Sequence, residues 1–243
     1  MSEESWNLAR LIPTSGINGA QEQERRATSA LLAVLMSVKE FGRAITQPLG
    51  APAGRLEAYI EVPFHLGDKR LFPDGLIRVT RGSTTWTALV EVKTGTNELQ
   101  TDQLENYLDV AREHGFDTVL TISNQIAPAD GTHPTKVDGR KTKKVALKHL
   151  SWMNVLSEAV MQKEFRGVAD PDQAWILGEL IRYLEHNKSG ALEFEDMGAS
   201  WVTARDAVKD GTLRVSDRYL PEVAARFDAL IQYCCLSTYS DMH

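Results

Sequence analysis

Residues 71–93 decide the fold and read LFPDGLIRVTRGSTTWTALVEVK. Apolar and β-branched residues dominate 71–80 and 85–93, which predicts two strands. The short polar segment 81–84 between them is typical of a hairpin connection. The two strands are therefore expected to pair antiparallel in a sheet.

Outward from this hairpin, hydrophobic periodicity predicts the other elements of the core. Apolar residues recur every three or four positions over 20–45, which predicts one amphipathic helix. Those over 55–64 alternate with polar ones, as in a half-buried strand that ends before a Gly-Asp turn. Asn97 with Gln100 is typical of a helix N-cap pair. The remaining predictions are a helix to about 115, a buried strand at 117–123, a long loop at 127–144 and a last strand at 145–150.

The C-terminal part of the chain is predicted to be helical and acidic. Helices are expected at 153–165, 172–186 and 220–236, and the stretch from 167 onward contains 13 acidic and 7 basic residues. We therefore predict an α/β domain over 1–166 and an acidic helical region over 167–243. The pattern leaves open whether this region is a separate domain or a cap on the sheet.

Composition limits the classes of protein to which this chain can belong. With 243 residues, of which 42% are hydrophobic and 25% charged, the chain can bury a substantial core, which argues against disorder. The adjacent Cys234 and Cys235 provide neither a disulfide framework nor a metal-ligand cluster. The sequence lacks an apolar run of roughly 18 residues and a secretory signal, so we expect a cytoplasmic protein without a membrane partner.

Net charge argues against a protein that coats nucleic acid, because the chain carries −6 at pH 7. This total hides a basic strip at 132–149, where six basic residues and one acidic residue give a net charge of +5. Such a strip is either a solvated face or a local contact for phosphates. The candidates for nucleic-acid contact in it are Arg140, Lys141, Lys143 and Lys144.

Two carboxylates and one ammonium are predicted to meet at one end of the sheet. Glu91 and Lys93 are two residues apart on a strand, so they project from the same face. The partner strand of the hairpin can place Asp74 beside them. Such oxygen ligands suit Mg²⁺, which is usually held by one or two carboxylates together with substrate phosphates. The alternative, a turn aspartate near a surface ion pair, is disfavoured because Glu91 and Lys93 interrupt an apolar run.

The sequence Pro73-Asp74, 16 intervening residues and then Glu91-Val92-Lys93 resembles the signature of the PD-(D/E)XK nuclease superfamily. The elements predicted over 20–123 follow an order similar to that family's core of helix, three antiparallel strands, helix and strand. The resemblance covers roughly half of the chain. It implies an α/β fold with a restriction-endonuclease-like core and a helical C-terminal extension.

The resemblance also implies a role for each residue of the signature. Asp74 and Glu91 would bind Mg²⁺ or Mn²⁺, and the backbone carbonyl of Val92 would be a further ligand. Lys93 would be catalytic, together with the two carboxylates.

Two helices offer supporting residues. Family members often add a carboxylate from the first helix, and Glu24 lies on the buried stripe of that helix whereas Glu22 does not. The alternative for Glu24 is a favourable charge at the positive end of the helix dipole.

Gln103 and Tyr107 match the Gln-x-x-x-Tyr pair of the RecB-like branch, where the amide would reach nucleic acid while the ring stacks or fixes the amide. The alternative for Tyr107 is an ordinary core residue.

Together with the resemblance, these residues predict a metal-dependent nuclease that hydrolyses phosphodiester bonds, with DNA as the favoured partner. The alternative is a non-catalytic nucleic-acid-binding or protein-interaction module on the same fold. A homodimer or a protein partner, bound through the C-terminal region, is compatible with either hypothesis. The sequence leaves open DNA versus RNA, end versus internal cutting, sequence preference, and defence against foreign DNA versus DNA repair.

Overall fold

The computed structural model describes residues 6–9, 11, 20–127, 131–191 and 197–240. In these ranges the chain forms a mixed six-stranded sheet with helices packed on both of its faces, so the predicted α/β class is confirmed. The strands are β1 (Asn7–Leu8), β2 (Arg55–Ile60), β3 (Phe64–Leu66), β4 (Lys69–Leu71), β5 (Gly75–Arg81), β6 (Thr84–Val92), β7 (Thr118–Ser123) and β8 (Ala146–Ser151). The helices are α1 (Ala20–Ser37), α2 (Lys39–Thr46), α3 (Thr101–His114), α4 (Trp152–Val160), α5 (Pro171–Glu185), α6 (Trp201–Lys209) and α7 (Leu220–Ser240).

The order of strands in the sheet is β1-β2-β5-β6-β7-β8. The strands β2, β5 and β6 pair antiparallel, and the register joins Gly75 to Val90. After the crossover through α3, β7 pairs parallel with β6, and β8 pairs parallel with β7. The expected hairpin is therefore confirmed, and it lies in the interior of the sheet, where both of its strands have neighbours on each side.

Several predicted boundaries were wrong. The strand expected over 71–80 begins at Gly75, because β4 ends at Leu71. The expected helix over 20–45 is interrupted at Val38, whose φ of −100° and ψ of 94° are extended, and it continues as α2. The periodicity hides this break because Val38 and Phe41 are both fully buried in the core. The strand expected over 55–64 ends at Ile60, where Glu61 takes a φ of +50°. The helix α3 has Gln100 at its N-cap position instead of Asn97, and the Gln100 side chain makes no capping hydrogen bond.

The alternation of β5 and β6 divides the core between the two faces of the sheet. Ile77 and Val90 face α1, α2, α4 and α5 in the larger cluster, whereas Leu76 and Leu89 face α3 in the smaller one. Burial on both faces explains why the paired segments 75–77 and 88–90 contain no polar side chain.

The helix α5 belongs to the predicted C-terminal region but packs on α1 and α4. Its residues Leu177, Leu180 and Leu184 are buried in the same cluster as Ile77. The division at 166/167 remains a prediction. None of the helices within the described ranges has the length and apolar character needed to cross a membrane.

Gly75 allows α1 to approach the sheet directly beside Asp74. A Cβ atom at this position would lie 2.5 Å from Cδ1 of Leu32, which is fully buried. We expect Gly75→Ala to lower the free energy of unfolding by about 1–3 kcal/mol, because the packed leucine must shift. Urea denaturation would measure this loss. A Gly82→Asn variant is the control, since Gly82 has a φ of +58° and open space around it; an equal loss there would contradict the packing explanation.

Candidate functional site

A cavity of about 260 Å³ opens where α1 meets the β5–β6 end of the sheet. Five of the residues singled out in the sequence line it, namely Glu24, Asp74, Glu91, Lys93 and Gln103. The others that line it are Arg25, Thr28, Ile60 and Glu61. Residues that are far apart in the chain thus converge on one small polar cavity.

Asp74 directly precedes β5 and is held by the backbone on both sides. Its Oδ2 accepts a hydrogen bond of 2.7 Å from the amide of Val92. Its own carbonyl oxygen accepts one of 3.2 Å from the amide of Glu61. The antiparallel register of Gly75 with Val90 brings this carboxylate next to Glu91. The Val92 contact involves the amide, and a role for the Val92 carbonyl as a metal ligand remains a prediction.

Lys93 bridges two carboxylates that come from different elements. Its ammonium donates to Oε1 of Glu91 at 2.7 Å and to Oε2 of Glu24 at 3.2 Å. The other oxygen of Glu24 accepts a hydrogen bond of 2.7 Å from the side chain of Asn97. Glu22, by contrast, forms an ion pair with Arg26 one turn along α1. Of the two glutamates considered on α1, Glu24 therefore reaches the cavity.

Burial of Asp74 and Glu91, together with the negative charge of Glu91 next to Asp74, disfavours the ionised forms of these two carboxylates. Burial and the charge of Glu91 raise the pKa of Asp74 well above its usual value, although the hydrogen bond from Val92 opposes this. Burial also raises the pKa of Glu91, against the opposing effect of Lys93. For Lys93, burial alone would lower the pKa, but Glu91, Asp74 and Glu24 together raise it. The ammonium therefore stays charged at neutral pH, while the carboxylates favour any added positive charge.

The donor set of the cavity fits a hard divalent cation. Oε2 of Glu91 is buried, and no hydrogen-bond partner for it exists within the described ranges, although the residue is only 1% exposed. A buried, unpaired carboxylate oxygen is costly unless a cation or a proton satisfies it. The described side chains contain no ready-made cluster of three or more His, Cys, Asp or Glu ligands. This is compatible with Mg²⁺, which takes few protein ligands and retains several waters.

Gln103 and Tyr107 are coupled across one turn of α3. The Gln103 amide donates to the Tyr107 hydroxyl at 3.1 Å, and that hydroxyl donates to the carbonyl of Phe72 at 3.2 Å. The tyrosine is only 3% exposed, and burial and the charge of Glu91 raise the pKa of its hydroxyl. Tyr107 is thus a member of the smaller core cluster whose hydroxyl also accepts from the Gln103 amide. Gln103 lines the cavity, and a contact of either residue with nucleic acid remains a prediction.

The basic strip is partly neutralised within the molecule. Arg140 pairs with Asp138 at 2.6 Å, and Lys141 pairs with Asp109 on α3. Lys143 and Lys144 are exposed, and no ion pair to either occurs in the part of the chain that the structure describes. Two of the four candidate cations are therefore available to an external phosphate without breaking an ion pair.

Three residues contribute to the site without having been predicted. The indole of Trp152 donates to the carbonyl of Lys93 at 2.8 Å, and the Lys93 amide donates to Ile122, so the lysine backbone is held on both sides. Asn97, interpreted as a helix cap, binds Glu24 instead. Arg25 follows Glu24 directly and lines the cavity. Only Arg25 had a sequence signal, its position beside a candidate ligand on a helix that faces the sheet.

No protein-family model and no curated protein matches this sequence. A solved structure similar to this chain is titled as a protein of unknown function, AF1548. The sequences are 14% identical, and the similarity covers 84% of this chain and 99% of that one, with a TM-score of 0.30. A similarity of this strength carries no argument about function.

Proposed function

We propose that this protein is a metal-dependent nuclease that hydrolyses phosphodiester bonds, with DNA as the favoured substrate. The observation that carries the proposal is the convergence of Glu24, Asp74, Glu91 and Lys93 on one cavity. The restriction-endonuclease-like core is part of the proposal. It is supported by the order α1, antiparallel β2, β5 and β6, then α3 and β7, which matches the order of elements in that family.

Asp74 and Glu91 are the residues that would hold Mg²⁺ or Mn²⁺, with Glu24 and the Val92 carbonyl as further ligands. The cation, when bound, supplies Lewis-acid chemistry toward a phosphodiester. A cavity lined by four carboxylates and two cationic side chains repels a phosphate in the absence of such a cation. The proposal therefore predicts that both substrate binding at the site and cleavage depend on the metal.

Lys93 acts on the reacting groups from a fixed position. Its backbone is anchored by Trp152, and its ammonium is oriented by Glu91 and Glu24. A charged ammonium held in this way can orient the attacking water and offset the negative charge that develops on the phosphoryl oxygens. Gln103, fixed by Tyr107, adds a neutral donor toward the substrate.

A panel of linear, circular, single-stranded and RNA substrates tests the function. We expect the parent to cleave at least one of them with Mg²⁺ or Mn²⁺ and to lose this activity in EDTA. The variant Asp74→Ala should lose at least about 100-fold in rate, the order of magnitude for losing electrostatic stabilisation of the transition state, which the cation held by Asp74 would supply. Gel analysis of the products also distinguishes end cutting from internal cutting.

The same panel distinguishes a nuclease from a non-catalytic nucleic-acid-binding module. Binding of nucleic acid without cleavage under any of these conditions, combined with no Mg²⁺ binding in calorimetry, would overturn the nuclease proposal. Equal cleavage by the parent and Asp74→Ala would overturn the assigned site.

A further inference from the structure

The cavity that contains Glu91 and Lys93 also contains an ion pair that the proposed mechanism does not use. Arg25 on α1 pairs with Glu61, which follows β2 directly. The Nε atom of Arg25 is buried, and within the described ranges it has no hydrogen-bond partner. An arginine offers five N–H donors in a planar fork, so Arg25, which lines the cavity, has at least one donor that its pairing with Glu61 does not use.

Glu61 occupies an unfavourable backbone conformation at this position. Its φ of +50° makes it the one residue other than glycine with a positive φ among those that the structure describes. Glycine and asparagine adopt this conformation more readily than glutamate. Its amide donates to the carbonyl of Asp74, so the turn is joined to the metal-binding candidate. Strain of this kind at a polar cavity is typical of a functional position.

The two cationic side chains of the cavity, Lys93 and Arg25, differ in how exposed their carboxylate partners are. Lys93 is held by Glu91, whose side chain is 1% exposed, and by Glu24, whose side chain is 14% exposed. The partner of Arg25 is more accessible, because the Glu61 side chain is 39% exposed while that of Arg25 is 18% exposed. Partly exposed ion pairs are weak, whereas phosphate accepts a planar pair of hydrogen bonds from arginine. A phosphate that enters the cavity can therefore compete for Arg25.

We propose that Arg25 binds a substrate phosphate and that Glu61 holds its guanidinium in place until the phosphate displaces it. This inference rests on the proposed nuclease function and adds a phosphate-binding residue to it. Arginine and glutamate then have opposite effects on substrate binding, since one attracts the phosphate and the other competes with it. An ion pair with a purely structural role would make both substitutions harmful.

The test measures the affinity of the full chain for a short fluorescein-labelled DNA, by fluorescence anisotropy in Ca²⁺, a hard cation that also binds carboxylate oxygens, with gel analysis to check that the DNA stays intact. We expect Arg25→Ala to weaken binding roughly tenfold, the scale of a lost charged hydrogen bond. The slope of log Kd against log salt concentration should fall by about one. Glu61→Gln should tighten binding several-fold and leave the slope unchanged. Arg25→Lys should retain the slope but recover only part of the affinity, because a lysine lacks the planar fork.

Arg26 and Glu22 provide the matched control, because they form an ion pair on the same helix, and the cavity residues do not include them. Arg26→Ala and Glu22→Gln should change the affinity by less than about twofold. Thermal unfolding and Mg²⁺ calorimetry on Arg25→Ala check that the fold and the metal site are intact.

The outcomes separate this inference from the function on which it rests. If the parent cleaves DNA but Arg25→Ala matches it in affinity and salt slope, the inference fails and the nuclease function stands. Weakening of similar size in Arg25→Ala and Glu61→Gln would show a structural ion pair and would also overturn it. A parent that neither binds nor cleaves any substrate in the panel would overturn both.

Discussion

Replacing Lys93 with methionine is expected to reduce metal-dependent cleavage by roughly 10²- to 10³-fold. Methionine has a similar length and retains the apolar packing, so the change removes chiefly the charge. The ammonium is the group that faces both Glu91 and Glu24, and the indole of Trp152 fixes its backbone. Single-turnover cleavage at saturating Mg²⁺ would measure the loss without the contribution of product release.

Folding must be checked alongside this result, because replacing Lys93 removes the positive charge that pairs with Glu91 and Glu24. Circular dichroism and a thermal unfolding curve provide that check, and Lys93→Arg keeps the charge while changing its geometry. The control is Lys163→Met, since Lys163 also forms an ion pair but lies outside the cavity, and this variant should cleave at the parent's rate. Full activity in a folded Lys93→Met protein would be incompatible with the assigned role.

The second large effect is a gain of stability combined with a loss of activity in Asp74→Asn. The asparagine oxygen can still accept the hydrogen bond from the Val92 amide, but the variant lacks the charge that burial and Glu91 disfavour. In EDTA at neutral pH we expect the variant to unfold at a higher Tm than the parent, because it lacks the ionised form that burial and Glu91 disfavour. Cleavage should fall by at least about 100-fold.

The pH dependence of this gain follows from the raised pKa of Asp74. Protonated Asp74 stabilises the folded state, so this stability is complete below the pKa of the unfolded chain, near 4, and is lost as the pH rises through the higher folded pKa. Asp74→Asn has no such loss. The stability difference between variant and parent should therefore be close to zero below about pH 4 and grow with pH.

Mg²⁺ provides an independent check on the same variant. A cation that binds the folded parent raises its Tm with increasing concentration, and Asp74→Asn should show much less of this effect. A stability difference that does not change between pH 4 and pH 8, or a variant that Mg²⁺ stabilises as much as the parent, would contradict the assignment of Asp74.

Much of the fold could be predicted from residues with strong local signals. The apolar and β-branched residues of β5 and β6, the short turn at Gly82 and the buried run of β7 specify the centre of the sheet, because strand propensity and turn chemistry are local properties. The break in the long first helix was missed because apolar periodicity continues across Val38, which is buried like its neighbours. Periodicity reports which face is buried, and it does not report a change in helix direction.

For the candidate site, the sequence determined which residue types are present and which of them share a face. It identified Asp74, Glu91 and Lys93, and the helical stripe favoured Glu24 over Glu22. Only the tertiary structure decided that Glu24 reaches Lys93, that Trp152 anchors the lysine backbone and that Arg25 and Glu61 share the same cavity. These contacts join residues from 36 to 69 positions apart. Their geometry depends on how α1 and α4 pack on the sheet, and local periodicity does not specify such packing.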